Sequence, residues 1–509
     1  MGKPNIIYIF ADQMRASALG CMGAENVRTP NLDKFASEGT LFKRAISNHP
    51  VCCPARATML TGLHSINHGL VTNDQQLRTD VKCLADYLND GGYSCGYVGK
   101  WHVDCVDRGV FVPPGKRRRG FDGFWAAYNC NHSYMSAYYY LNDDPEPVWI
   151  EGYEPVAQTG AAVGFIRKKS ASKSPFCLFV SYGTPHCPYK EMPQEILGAY
   201  VADDIELKPN AVSHADKSVL AGYYAHITAL DTQFGRIIEA VDECGAKDET
   251  IVIFTSDHGD MLWSHDKGWK MKPWLESVNI PFIARWPGRI PAGRVSGAPI
   301  GLVDVSPTLL GLAGLDAPEN MDGRNLAELF MGDETKAPGS QLICNIVGYT
   351  GQSEGFNNWR GIVTKTHTYV GLKDRAWLLF DDERDSCQLN NLVNKPEHEN
   401  TAQKLKAELY AQLEKIGDPF CGNDEAVAQY VAGKIINSDD CEILRRQLID
   451  EMKKTENNPK FTDGCDVSRY LDYPDENRVV LFFDNEKIRL GKKGEGRKRF
   501  HADYYPDGK

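Results

Sequence analysis

The chain has 509 residues, a length that allows about two to four domains. It carries 57 Lys and Arg against 68 Asp and Glu, a net formal charge of −11, which argues against nucleic acid as a partner because phosphate binding needs a basic face. At 42% hydrophobic and 25% charged residues the composition is globular, so disordered and fibrous folds are excluded, and no apolar run reaches the roughly eighteen residues that cross a bilayer. Met1-Gly2-Lys3-Pro4 leads directly into an apolar segment without the charged head and cleavage site of a signal peptide. The expected location is cytoplasmic, or periplasmic or secreted if a leader has been removed. The 15 cysteines are an odd number with no Cys-x-x-Cys pair, and read mostly as buried thiols in a reducing compartment.

Asn5 to Ala11 is a continuous apolar run, the pattern of a strand buried on both faces, and it ends in Asp12-Gln13. Leu84 to Leu88 has a helical pattern. Pro175 to Ser181 is a second buried-strand run, followed by Thr184-Pro185-His186. Leu220, Ile227, Leu230, Phe234, Ile237, Ile238 and Val241 recur at helical spacing before Gly245. Thr250 to Thr255 is a third apolar run, ending in Ser256-Asp257-His258-Gly259. Strands alternating with helices predict an α/β sandwich with a mostly parallel sheet flanked by helices. Ligand sites in such sheets lie at the carboxyl ends of strands, where these polar residues fall.

A cluster of Gly, Asp, Pro and Ser between positions 329 and 339 closes a catalytic domain over residues 1–340. Arg360 to Thr364, Thr368 to Leu372 and Trp377 to Phe380 then read as short strands. With a helix carrying Leu405, Leu409 and Leu413 on one stripe, they predict a smaller α+β domain over 341–421. Residues 422–509 add a helix at Cys441 to Lys453 and a strand at Val479 to Phe483, and are expected to pack on the catalytic domain as an extension.

Cys52-Cys53-Pro54-Ala55-Arg56-Ala57-Thr58-Met59-Leu60-Thr61-Gly62 places a thiol four residues before an arginine at the start of an amphipathic stretch. A helix N-terminus and a guanidinium both stabilise anions, so the segment suits a nucleophile that attacks an anionic ester. The same spacing also suits a buried Cys pair before a helix opened by proline. Asp12 and Asp257 end separate buried strands beside Gln13 and His258, and oxygen-rich ligands favour hard divalent ions. Asp at such positions also caps turns.

Cys52-x-Pro54-x-Arg56-x-x-x-Leu60-Thr61-Gly62 matches every fixed position of the type I sulfatase signature, and the chain resembles that family along its first four-fifths. The stretches that carry the likeness are Ala11-Asp12-Gln13, Arg28 to Asp33, Gly99-Lys100-Trp101-His102, Gly120 to Phe124, Pro185-His186, Thr255 to Gly259, Ile280 to Gly288 and Leu378 to Leu392. The resemblance implies an alkaline-phosphatase-like fold and conversion of Cys52 to formylglycine by a maturase, with the aldehyde hydrate as nucleophile. It implies one divalent metal, Ca²⁺ first and Mg²⁺ or Mn²⁺ as alternatives, held by Asp12, Gln13, Cys52, Asp257 and His258. Gln13 stands where the family usually has a second Asp, and His258 where Asn is frequent. Beside Cys52 and Arg56, the implied catalytic set has Lys100 bridging sulfate and formylglycine, His102 handling the proton of the hydrate, and His186 and Lys270 facing the leaving group. Lys270 is preferred to Lys267 and Lys272 by its distance from Pro281.

The expected activity is hydrolysis of a sulfate ester on a small molecule or, most plausibly, a glycan. The competing expectations are a phosphonate monoester or phosphodiester hydrolase of the same superfamily, a silent binder of sulfated glycans and a hydrolase using the unmodified thiolate. The aromatic residues Trp125, Tyr128, Tyr134, Tyr138, Tyr139 and Tyr140 suit sugar stacking or a core equally. The basic runs Lys116 to Arg119 and Lys492 to Arg499 read as solvated charge, with attraction of a polyanionic glycan as the alternative. Nucleic-acid and membrane partners are not expected, and the sequence leaves the oligomeric state open.

Overall fold

In a computed structural model, residues 2–422 are described apart from 24, 74, 105–107, 110 and 347–357, together with residue 425 and the strand Arg499–Phe500. The helix expected at Cys441 to Lys453, the strand at Val479 to Phe483 and most of the basic run from Lys492 lie outside the described residues. The large sheet contains, in chain order, β1 (Asn5–Asp12), β2 (Thr40–Ile46), β3 (Ser94–Lys100), β4 (Phe124–Tyr128), β5 (Tyr138–Leu141) and β6 (Val148–Ile150). It continues with β7 (Phe176–Pro185), β8 (Thr250–Ser256), β9 (Asn279–Ile280), β10 (Phe282–Arg285) and β11 (Arg294–Gly301). The spatial order is β11-β2-β10-β8-β1-β7-β3-β4-β5-β6, with Arg499–Phe500 beside β6 and β9 beside β2. Its centre, β8-β1-β7-β3-β4, is parallel throughout, while β10 and β5 run against their neighbours.

The continuous apolar reading of β1 has a direct cause: both faces of the strand are covered. Ile7 and Ile9 pack with Phe165 and Ile166 of the helix Glu154–Ser172 and with Leu230 and Phe234 of the helix Lys217–Glu243. Ile6, Tyr8 and Phe10 alternate onto the opposite face, against Met59 and Leu60 of the helix Cys52–Thr61 and Leu84 and Leu88 of the helix Leu84–Asp90. Each such side chain contributes roughly 1.5–3 kcal/mol by leaving water. The long helix begins where the Asp216 carboxylate accepts from Ser218 N at 2.9 Å and stops before Gly245, whose φ of +64° ends it without a Cβ penalty.

A second, antiparallel sheet is formed by β12 (Ser340–Asn345), β13 (Trp359–Thr364), β14 (His367–Gly371) and β15 (Ala376–Asp381). Leu405, Leu409 and Leu413 of the helix Glu399–Ile416 cover one face, on Leu342, Ile362, Tyr369 and Leu379. The other face packs Ile343, Val363 and Phe380 onto Ile46 and Val278, and Arg44 of β2 reaches Asp382 at 2.6 Å.

One open reading from the sequence is decided here and one expectation is corrected. Trp125, Tyr128, Tyr134, Tyr138, Tyr139 and Tyr140 are all buried, so their aromatic faces are core and not a sugar platform. In the run at 116–119 only Lys116 is exposed charge: Arg117 forks onto Asp104 at 2.7 Å through both Nε and Nη2, and Arg118 and Arg119 are buried on backbone carbonyls of Val112 and Leu77. Their guanidinium groups tie a loop to the sheet.

Candidate active site

Four adjacent parallel strands deliver the polar residues to one edge of the sheet. β1 ends at Asp12 and β8 is followed by Asp257 and His258, while β3 ends at Lys100 and β7 is followed by His186. The ends of β1 and β8 are tied together: Asp257 N donates to Ala11 O at 3.1 Å, and Ser256 Oγ donates to the same carbonyl at 3.0 Å. Gly99 allows β3 to approach β7 immediately before Lys100. Its φ is +100°, and a Cβ there would lie 2.0 Å from Ser181 O.

Cys52 opens its helix at this edge and is 1% exposed. Its Sγ lies 3.3 Å from His258 Nε2 and accepts from Lys270 Nζ at 2.9 Å. Lys270 Nζ also donates to His186 Nε2 at 3.0 Å. His186 Nδ1 donates to Cys187 O at 2.8 Å, which fixes the tautomer that leaves Nε2 as acceptor. Of the three lysines considered from sequence, Lys270 is thus the one brought to Cys52. Lys100 Nζ donates to Asp12 Oδ2 at 2.6 Å. His102, two residues beyond Lys100, is buried in the positive-φ region at +55°, with its backbone N donating to Asn129 O at 2.7 Å and its imidazole beside the Cys130 thiol.

Asp12, Cys52, Asp257 and His258 each present a ligand atom, and these four atoms lie within 4.8 Å of one another. His258 Nδ1 donates to Gly259 O at 2.9 Å, so Nε2 is the nitrogen turned to the cluster. Gln13, at φ +70°, joins them by donating its backbone N to Asp257 Oδ1 at 3.0 Å. Its Nε2 is used elsewhere and its Oε1 is buried without a hydrogen-bond partner among the described residues. An orphaned amide oxygen on the residue after Asp12, together with two carboxylates and an imidazole nitrogen that converge, fits a hard divalent cation. The charges agree. Burial, then the charge of Asp12, pushes Asp257 above the usual carboxylate range, a repulsion that a cation relieves.

Arg56 has a different task from the anion binding expected of it. Its guanidinium is fully buried and its donors are spent on the protein: Nε to Asp257 Oδ2 at 3.0 Å, Nη2 to Asp12 Oδ2 at 3.1 Å, and Nη1 to Lys100 O and Ser181 Oγ, both at 2.7 Å. It braces the two carboxylates and three strand ends rather than facing a substrate. Burial and the Asp12 carboxylate oppose ionisation of the Cys52 thiol, but Lys270, Lys100 and His258 overcome both and hold it well below its ordinary range. Burial, followed by Lys270, lowers His186 to about 3, so its imidazole is neutral at rest and Lys270 carries the proton of the pair.

A family model described as sulfatase matches residues 4–315, and one described as N-sulphoglucosamine sulphohydrolase, C-terminal, matches 263–415. The chain belongs to the sulfatase family. An ulvan-active sulfatase of Formosa agariphila is 37% identical over 436 residues, 84% of each chain. An endo-4-O-sulfatase of Bacteroides thetaiotaomicron is 32% identical, over 82% of this chain and 93% of the relative. A solved structure from work on glycosaminoglycan metabolism by Bacteroides thetaiotaomicron superposes with a TM-score of 0.76 at 29% identity, covering 85% of this chain and 99% of that one. The sulfatase is therefore a sulfuric ester hydrolase on an alkaline-phosphatase-like fold, in a family that uses a metal and a formylglycine.

Several residues of the sulfatase site were not singled out from sequence. Asp260 follows the Ser-Asp-His-Gly motif directly, so its position was a usable signal; Tyr189, Ser181 and His132 offered none. The His132 ring stacks on His186, with centroids 4.1 Å apart at 16°. Glu154 is buried behind the site, where Tyr139 OH donates to it at 3.0 Å and burial pushes its carboxyl up to about 7. Because the folded value exceeds the ordinary 4.5, the folded state holds an extra proton between these values, and stability falls as pH rises through that window. Glu154→Gln is expected to leave the unfolding free energy nearly unchanged near pH 4 and to stabilise the protein by about 3 kcal/mol above pH 8. Denaturant titrations at the two pH values check this, and equal gaps would refute it.

Proposed function

We propose that the sulfatase hydrolyses a sulfate ester on a carbohydrate, with Cys52 as formylglycine and with the roles set by the geometry of the site. The observation that carries this reading is the position of residue 52 between two sets of groups: Asp12, Asp257 and His258 on one side, and Lys270 with His186 on the other. Cys52 Sγ stands where an oxygen of the aldehyde hydrate would be. Asp12, Gln13, Asp257, His258 and residue 52 would hold the metal, with Ca²⁺ as the ion best suited to this oxygen-rich set. When bound, the ion supplies Lewis-acid activation of the hydrate and neutralises the sulfate. Lys100 and Lys270 place positive charge against the sulfate oxygens, where charge grows in the transition state. One hydroxyl of the hydrate gives its proton to the Asp12 carboxylate and bonds to sulfur. The bond from sulfur to the alcohol oxygen breaks, and the leaving alcohol takes a proton passed from Lys270 through His186. His102 accepts the proton of the second hydroxyl, whose oxygen reforms the aldehyde carbonyl as sulfate departs.

All ten residues of the helix Cys52–Thr61 are buried, so a maturase reaches Cys52 before the chain folds. The mass of the tryptic peptide Ala45 to Arg56, from a host that matures sulfatases, tests the reading. Replacement of H₂S by O at Cys52 supports it; an intact thiol in protein that hydrolyses the ester supports the thiolate instead. The phosphodiester alternative draws on Gln13 and His258, and a faster rate on an aryl phosphodiester than on the matched aryl sulfate would favour it.

The proposed sugar substrate has an anchor at the mouth of the site. Trp269 is 55% exposed, precedes Lys270 and lies 6.4 Å from the His186 ring. An open indole face here can stack on a sugar ring, a contact worth about 1 kcal/mol. Trp269→Ala is expected to raise KM for a sulfated oligosaccharide by roughly five- to tenfold with kcat kept. Steady-state kinetics that show an unchanged KM would remove Trp269 from the binding site.

A further inference from the structure

Gln13 departs from the usual second Asp of the family, and the chain around it accounts for the missing charge. Gln13 Nε2 donates to Asp260 Oδ2 at 2.6 Å and to Tyr189 Oη at 3.2 Å. Tyr189 Oη donates to the same Asp260 oxygen at 2.5 Å, and Leu262 N donates to the other carboxylate oxygen, Oδ1, at 3.2 Å. Asp260 is completely buried, and among the described residues no Lys, Arg or His lies within ion-pair distance of its carboxylate. A buried carboxylate without a cationic partner is costly. A cation on the far side of Gln13 is the compensation the geometry offers.

We infer that Asp260, assisted by Tyr189, is a positioning residue that locks the Gln13 amide with its oxygen toward the metal and supplies from behind it the negative charge that Gln13 lacks. An ionised carboxylate only accepts, so it captures the amide NH₂ and leaves Oε1 pointing into the cluster of Asp12, Asp257 and His258. The flipped amide would set two acceptors against each other at the 2.6 Å now spanned by the hydrogen bond. Asp260 touches neither the cluster nor a substrate. Its effect passes through Gln13, as outer partners of metal ligands act in general. The inference rests on the metal site proposed above.

The test is Ca²⁺ titration by calorimetry, with melting temperature against Ca²⁺ concentration as a second readout, on chelator-treated protein with Cys52 unconverted; neither requires turnover. Asp260→Asn is expected to weaken Ca²⁺ binding by roughly 10–100-fold. Adding Gln13→Glu to that variant returns the charge and the donor–acceptor pair in reversed order, and is expected to recover most of the loss. Tyr189→Phe, which keeps the ring packing, should weaken binding by only a few-fold and serves if Asp260→Asn fails to fold. Unaltered affinity in Asp260→Asn, or a double variant no tighter than the single one, overturns the inference and leaves the metal site standing. Absence of Ca²⁺ binding by the unsubstituted protein overturns both.

Discussion

Cys52→Ala is expected to lower kcat for ester hydrolysis on the order of 10⁵-fold, because it removes the group that meets both the Asp12–Asp257–His258 cluster and Lys270, the partner of His186. Cys53→Ala is the internal control. The next residue along the helix is rotated away from the cluster: Cys53 packs in the hydrophobic core, and its backbone N donates to Asn73 Oδ1 at 3.1 Å. Its loss should cost on the order of 1 kcal/mol of stability and leave turnover within about twofold. The pair discriminates because both variants trim one small buried side chain on the same helical turn, so a shared packing defect cannot explain a difference between them. Measured kcat values and melting temperatures decide. Turnover by Cys52→Ala near that of the unsubstituted protein would end any mechanism in which residue 52 is the nucleophile. The metal ligands other than residue 52 stay in place in this variant, so Ca²⁺ binding should weaken far less than turnover.

The strands that carry the site were legible because each is covered on both faces and therefore reads as an unbroken apolar run ending in a polar residue. β1, β7 and β8 follow this rule. β3 does not. Its sequence Ser-Cys-Gly-Tyr-Val-Gly-Lys has two glycines, there because Phe165 and the β7 backbone approach too closely for a Cβ, and so its strand character was hidden while its terminal Lys100 was found by motif. The helix Glu154–Ser172 was missed for a related reason: its first half is buried nearly all round, with Ala and Gly at its contacts, and its second half is mostly polar, so no continuous apolar stripe marks it. Lys270 was chosen from sequence by its family-like spacing from Pro281, whereas His132, which stacks on His186, has no pattern to announce it. Residues that act on one another across the fold leave no periodic trace; residues that end strands do. The same limit explains the aromatic stretch around Tyr138, since composition shows that rings are present and only packing shows which way they face.

Arg56 is the second position where a single change should have a large effect, and the effect should depend on metal. With its fork bound to Asp12, Asp257, Lys100 O and Ser181 Oγ, it is the one guanidinium among the described residues that contacts both metal-site carboxylates. Arg56→Met keeps most of the volume and the packing on Phe10 but strips Asp257 of its guanidinium partner and leaves Asp12 with Lys100 as its remaining cationic partner. Breaking a buried ion pair from one side costs about 3–5 kcal/mol, and that is the expected loss in the chelated protein. At the proposed metal site saturating Ca²⁺ would neutralise the same carboxylates, so the gap to the unsubstituted protein should narrow as Ca²⁺ is added. Arg56→Lys keeps the charge but cannot span two carboxylates and two further acceptors from one ammonium, so it should fall between the two. Urea unfolding with chelator and with Ca²⁺ measures all three proteins. A loss that is large and independent of Ca²⁺ would mean that Arg56 mainly braces β3 and β7 through Lys100 O and Ser181. A loss below about 1 kcal/mol in chelator would mean that the carboxylates are already neutralised by protons, against the direction in which Lys100, His186 and Arg56 hold Asp12 despite its burial.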